Sequence, residues 1–319
     1  MLLFLVFQTP PPTTPPTGSP VVAIPPPQPP PHPLPPYKKV TAYSAETPFD
    51  MTVHDGPDHI SDMITQGGRW EPQVCDQILK VFREAPKQLK GTQFFLDIGA
   101  NIGYHSLCVA AQNKRTVSVE AAPFNFYALN SSREENEGWV DRMTVYQIAV
   151  SDGSSKEPLC FRSDPENYGG NSAVDPANHP SAGWLDPSTH PCTNVAQTTI
   201  DTLLASLKAN AVSSGSSLCP LVMKMDIEGF EHSALVGASG LLQKSPPCVI
   251  LMEFHVILLT MAGAAPPMDT IRLVLNHGYQ LRQPSMGEVE QAVQGQIFDL
   301  MFAHDSYNDA NGRCWKSCL

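Results

Sequence analysis

Between Phe94 and Ala121 the hydrophobic pattern changes period twice. Phe94, Phe95, Leu96 and Ile98 form a short apolar run interrupted only by Asp97, which predicts a strand buried on both faces. Gly99 to Gly103 breaks the run, Ile102 to Gln112 suits a helix, and Thr116 to Val119 is β-branched and strand-like, ending at Glu120. The alternation continues downstream. A helix is expected over 123–135, a strand over 143–150, an extended stretch over 195–200 and a helix capped by Asp201. Then come a strand over 221–227, a helix over 231–242, a strand over 248–254, a helix over 268–277 and two last strands near 279–282 and 296–302. Such alternation predicts a doubly wound α/β fold, a mostly parallel sheet with helices on both faces.

Other stretches do not share this rhythm. Residues 37–91 read as a helical lead-in, with helices over Asp58–Thr65 and Pro72–Arg83. Residues 92–305 hold the α/β domain and 306–319 a tail. Asp164 to Thr193 is rich in Pro, Asn, Gly, Ser and His without periodicity, which suits either a lid over an acceptor or a structureless insertion. Residues 1–36 are proline-rich and favour a polyproline II tail or stem. The apolar stretch Leu2–Phe7 is too short to span a bilayer, which takes about 20 residues. It would fit the remnant of an anchor, in which case a secretory-pathway enzyme on a proline stem is the expectation; otherwise a cytoplasmic one fits as well.

Charge narrows the partners. A net charge of −11 disfavours nucleic acid, which asks for a basic face, and equally an anionic membrane surface. The eight cysteines show no C-x-x-C pair and no metal-ligand cluster, so no metal is expected. Cys108 and Cys248 lie in apolar runs and read as buried thiols; Cys314 and Cys318 could close a terminal disulfide in an oxidising compartment.

The glycine turn carries the chemistry. Gly99 and Gly103 let the backbone lie close to a ligand, and the following helix presents free N–H groups there. Glu120, roughly 20 residues on, is spaced to hold a ribose. The spacing is G-x-x-x-G, not G-x-G-x-x-G, and Asp97 would repel a pyrophosphate. A carboxylate there suits a ligand bearing ammonium and sulfonium charges, S-adenosyl-L-methionine, over NAD. Further polar groups fall at strand ends: Ser151, Asp226, Glu228, Glu253 and His255. Lys224, Asp226 and Glu228 share one strand face, so a lysine–carboxylate pair is expected.

Five segments in order, Asp97-Ile98-Gly99-Ala100-Asn101-Ile102-Gly103, Val119-Glu120-Ala121-Ala122-Pro123, Ala149-Val150-Ser151-Asp152, Thr199-Ile200-Asp201 and Lys224 to Glu231, together resemble the FkbM family of S-adenosylmethionine-dependent methyltransferases. The resemblance implies a class I methyltransferase fold, Rossmann-like with a seven-stranded sheet. It also implies O-methylation of a hydroxyl on a sugar, glycan or other small molecule. By the same resemblance Asp97, Gly99, Ala100, Asn101 and Gly103 surround the methionine part, Glu120 holds the ribose, and Ala149 and Ser151 lie against the adenine. Asp226 and Glu228 would face the transferred methyl, with His255 or Glu228 removing the acceptor proton. The alternatives are an NAD-dependent oxidoreductase and an inactive methyltransferase-fold scaffold with a recruiting tail.

Overall fold

The structure, a computed structural model of the chain, describes residues 24–27, 35–87, 89, 93–164, 166–174, 188, 192–212, 218–290, 297–309 and 311–316. The proline tail, apart from 24–27 and 35–36, and Cys318 lie outside these residues. The elements run β1 (Tyr37–Ser44), β2 (Thr47–His54), α1 (His59–Gly67), α2 (Pro72–Glu84), β3 (Gln93–Ile98), α3 (Tyr104–Ala111), β4 (Arg115–Glu120), α4 (Pro123–Glu135) and β5 (Met143–Gln147). After β6 (Ala149–Val150) come β7 (Leu159–Asp164), β8 (Asn167–Val174), β9 (Thr193–Val195) and β10 (Gln197–Thr198). The second half holds α5 (Ile200–Val212), β11 (Cys219–Met225), α6 (Glu231–Val236), α7 (Ser239–Lys244), β12 (Val249–His255) and α8 (Val256–Ala262). It closes with α9 (Pro267–Asn276), β13 (Tyr279–Gln283), α10 (Met286–Glu290), β14 (Ile297–His304) and α11 (Arg313–Lys316).

Seven strands form the central sheet in the order β13-β14-β12-β11-β3-β4-β5. Pairing is parallel from β12 across to β5, while β14 runs antiparallel to both β12 and β13. Strand order reverses between β3 and β11, so a crevice opens at their carboxyl ends. Side-chain alternation along β3 divides the core. Phe94, Leu96 and Ile98 pack with Leu203, Leu235 and Met223, whereas Phe95 packs with Leu107, Ile78 and the β1–β2 hairpin. The doubly wound architecture expected from the alternation is therefore present.

Several details differ from the sequence expectation. Residues 37–54 form a hairpin, not helical lead-in: Phe49, Met51 and Val53 enter the core, and Phe49-Asp50-Met51-Thr52-Val53-His54 carries the apolar–polar alternation of a half-buried strand. Asp201 does not cap its own helix. Its carboxylate accepts from the N–H groups of Gly240 and Leu241, both 2.7 Å, while Thr199 Oγ1 accepts from Thr202 N. The single helix expected over 231–242 is two short ones, and α8 follows β12 directly. Residues near the C-terminus pack inward: Trp315 and Cys314 are buried in the core.

The cysteines depart most. Cys108 and Cys248 are not free thiols: Cys75 bonds Cys108, Cys160 bonds Cys192 and Cys248 bonds Cys314. Cys314 is thus committed to Cys248 rather than to Cys318. The partners come from distant segments, 66 residues apart for the last pair, which is why no local spacing announces them. Cross-linking across that separation should be worth about 4 kcal/mol by loop-closure entropy. We expect the Cys248→Ala/Cys314→Ala double variant to unfold at clearly lower urea, and reductant to lower the stability of the parent chain toward it. Identical unfolding with and without reductant would show that the bonds do not form.

Candidate active site

The crevice at the β3/β11 reversal opens into a cavity of about 270 Å³. Its floor is the turn after β3. Gly99 and Ala100 donate N–H to Val119 O at 2.9 and 3.0 Å, and Asp226 N donates to Ile98 O at 3.0 Å. Gly99 has φ +80°, and a Cβ there would collide with the carbonyl of Asp226. Gly103 has φ +94°, and a Cβ there would strike Leu129. Only glycine lets β3, β11 and α4 approach this closely.

Glu120 ends β4 and organises the turn. Its Oε2 accepts from Asn101 N and its Oε1 from Ala122 N, both at 2.8 Å. A carboxylate has about four acceptor positions, so two remain toward the cavity it lines. Burial raises its carboxyl to about 7 against the pull of those two N–H groups. Ile148, Ala149 and Val150 give an apolar wall beside it, and Leu159 and Phe161 of β7 face the same space.

β7, β8 and β9 form an antiparallel three-stranded sheet that roofs the cavity through Asn167, Gly169 and Asn171. The described part of the supposed loop is therefore β-structure; most of the remainder, 175–187, lies outside the described residues. Several hydrogen bonds hold the roof, among them Tyr168 N donating to Pro57 O at 3.0 Å and His59 N donating to Asn167 Oδ1 at 3.3 Å. Gly169 N donates to Asp58 Oδ1 at 2.7 Å, and Asn101 Nδ2 donates to Gly169 O at 3.2 Å.

The other wall is acidic. Lys224 Nζ donates to Asp226 Oδ2 at 2.9 Å, the lysine–carboxylate pair expected from their shared strand face. Glu228 adopts φ +55° and Gly229 φ +100°. Glu231 pins this turn, its Oε1 accepting from Ile227 N and Gly229 N at 3.0 and 3.3 Å. Burial, with Asp226 and Glu231 nearby, raises Glu228 to about 8. Glu253 on β12 is raised as well, by burial and then by Asp226 and Glu228.

Asp226, Glu253 and Glu71 also line a second cavity of about 150 Å³, whose walls carry Gln73, Lys224 and Asp299. Glu71 precedes α2 and lies 3.3 Å from His105 Nε2. Sequence reasoning missed Glu71, since nothing in a helical lead-in marks a cavity residue. Glu253 stood out only as a polar end to an apolar strand.

Of the residues singled out from sequence, Gly99, Asn101, Glu120, Ala149, Asp226, Glu228 and Glu253 line the cavity together. Asp97, Ala100, Gly103, Ser151 and His255 are not among its lining residues. Asp97 is fully buried beneath the turn, where its Oδ2 accepts from Ser106 Oγ at 2.7 Å. Ser151 is buried in the turn after β6. His255 caps α8, its Nδ1 accepting from Leu258 N at 3.3 Å. No group of three or more His, Cys, Asp or Glu is arranged to hold a metal among the described residues.

The methyltransferase FkbM domain family matches residues 97–281. Among solved structures, a methyltransferase FkbM from Methylobacillus flagellatus KT is 16% identical, with TM-score 0.38, over 67% of this chain and 44% of that one. This chain thus spans less than half of that protein's length. TYW2 from Pyrococcus horikoshii, in complex with MeSAdo, is 13% identical, with TM-score 0.38, over 84% of this chain and 72% of that one. No curated protein matches the sequence.

The raised carboxyls set a pH dependence. A group whose folded pKa lies above its unfolded value contributes stability that is full below the unfolded pKa and lost as pH rises through the folded one. Glu120 and Glu231 rise to about 7 and Glu228 to about 8, each from 4.5. The ligand-free protein should therefore lose melting temperature as pH climbs from 4.5 through 8, and Glu228→Gln should flatten the upper part of that slope. A melting temperature that climbs across this window, alike in parent and variant, would contradict the assigned burial.

Proposed function

The chain belongs to the FkbM methyltransferase domain family and uses S-adenosylmethionine, and from that premise we propose that it methylates a hydroxyl of a sugar, glycan or other small molecule. When bound, the cofactor supplies an electrophilic sulfonium methyl. The cavity fits such a ligand. Glu120 keeps two acceptor positions for ribose hydroxyls, the 148–150 wall is apolar enough for a purine, and Asp226 offers its carboxyl oxygens to a cationic group. The NAD-dependent alternative and the inactive scaffold lose ground to the family match and to the intact Glu120–Asn101 turn.

One observation carries the O-methylation reading. Glu228 sits in the cofactor cavity with its carboxyl raised to about 8. A hydroxyl nucleophile must give up its proton as it attacks, and a base of that strength close to working pH suits the task. We assign the proton to Glu228 rather than to His255, whose Nδ1 is occupied as a helix cap. Asp226, bonded to Lys224, is held in a fixed position beside the reacting centre. Alignment of the acceptor would supply most of the acceleration. The acceptor would occupy the adjoining second cavity, where Gln73, Glu71 and Lys224 can bond polar groups. Its carboxylate walls and the net charge of −11 favour a non-nucleic-acid acceptor.

With labelled methyl donor and a panel of sugars and glycans, Glu228→Gln should lower kcat by about 10² to 10⁴-fold while leaving S-adenosylhomocysteine affinity nearly unchanged. The parent kcat/KM should rise with pH through about 8. His255→Asn, which preserves a capping acceptor, should change kcat little. A large loss in the His255 variant with none in the Glu228 variant would reverse the assignment of the base.

A further inference from the structure

The far end of the sheet carries an unexpected charge. At the amino ends of β3, β4 and β5, a concavity of about 700 Å³ opens between the carboxyl ends of α2 and α3 and the turn before β5. Lys87, Lys114, Arg115 and Arg142 line it, with Asp141 as the one acid among its described lining residues. In a chain of net charge −11 such a concentration of cations is against the average. None of the four has an ion-pair partner among the described residues.

A purely structural role accounts for part of this. Arg142 Nη1 donates to Ala110 O at 3.3 Å and to Asn113 Oδ1 at 2.7 Å, closing the end of α3. Lys114 lies over the Phe82 ring, 6.0 Å from its centroid. The two helix ends together present about one negative charge, less than four cations and one carboxylate would balance. The remaining positive field is focused in a concavity, where it raises the local concentration of anions. Arg115, exposed at the first position of β4, has no ion-pair partner among the described residues, which leaves its guanidinium for bidentate binding of an oxyanion. A volume of this order admits an organic ligand and not only a single ion.

We propose that this concavity is an anion-binding site, separate from the methyl-transfer cavity, for a ligand carrying two or more phosphate or sulfate groups. Such a group could belong to a soluble molecule or to a lipid headgroup; both present the same oxyanions. The site lies at the opposite strand ends from the cofactor cavity, so the two can be perturbed independently.

Calorimetry of the full chain with inorganic pyrophosphate is the test, with a second arm measuring capture by phosphatidylcholine vesicles with and without a phosphoinositide bisphosphate. The parent should bind pyrophosphate, more weakly as salt rises. Lys114→Glu/Arg115→Glu should lose on the order of ten-fold or more in affinity, and Lys114→Gln/Arg115→Gln somewhat less. Retained S-adenosylhomocysteine binding in both variants would certify their fold. Pyrophosphate binding without vesicle capture supports the site and a soluble ligand; capture that needs the phosphoinositide supports the site and a headgroup. Failure of the parent to bind either probe, or binding unchanged by charge reversal, overturns the proposal.

Discussion

The carboxyl end of the sheet depends on one close approach, the backbone of Gly99 against the carbonyl of Asp226. There the chain leaves β3 while β11 runs alongside, and Asp226 N bonds Ile98 O to fix the junction. With a side chain at Gly99 the two strands could not both end where they do. The neighbouring positions follow from this contact. Asn101 is turned to φ +53° so that its N–H meets Glu120, and Asp226 is delivered to the cavity from the other side. Glu120 and Asp226 thus reach one cavity as two consequences of a single backbone crossing.

Around that crossing the chain adds a cover that the parallel sheet alone does not supply. The β1–β2 hairpin and α2 lie over α3, and the Cys75–Cys108 bond joins α2 to α3. The Glu71–His105 contact spans the same junction at its cavity edge. On the other side the β7–β8–β9 roof is held to the segment before α1 through Asp58, and Cys160–Cys192 ties the roof to its return strand. Disulfides of this kind persist where the surroundings are oxidising. They also remove freedom from an unfolded chain that must otherwise organise distant segments around a long insertion.

The parts of this architecture that sequence could announce are those governed by local rules. Alternating strand and helix patterns gave the doubly wound sheet, and the glycine spacing with a carboxylate some 20 residues on located the turn and Glu120. Lys224 and Asp226 were legible as a pair because strand parity puts them on one face. What escaped depends on distance along the chain. Asp97 looks like a ligand-facing acid but points below the turn to Ser106. Ser151 and His255 sit at strand ends as expected, yet one is buried in a turn and the other consumed as a cap. Glu71 and the disulfide partners arrive from segments whose local pattern says nothing of the cavity.

Several carboxyls lie in and around one cleft, Glu120 and Glu231 buried and Glu228 and Glu253 half-buried, and desolvation raises every one of them. Such a group is costly to an empty protein, and the cost falls when a cationic ligand enters. S-adenosylmethionine carries that charge, which makes the cleft's acidity intelligible as part of its recognition. Calorimetric titration of the full chain with S-adenosylmethionine, with NAD and the sulfonium-free S-adenosylhomocysteine in parallel, tests this most directly. The account predicts micromolar binding of S-adenosylmethionine, tighter than that of S-adenosylhomocysteine and lost in Glu120→Ala, and no binding of NAD. Binding of NAD alone, or S-adenosylmethionine binding indifferent to Glu120, would contradict it.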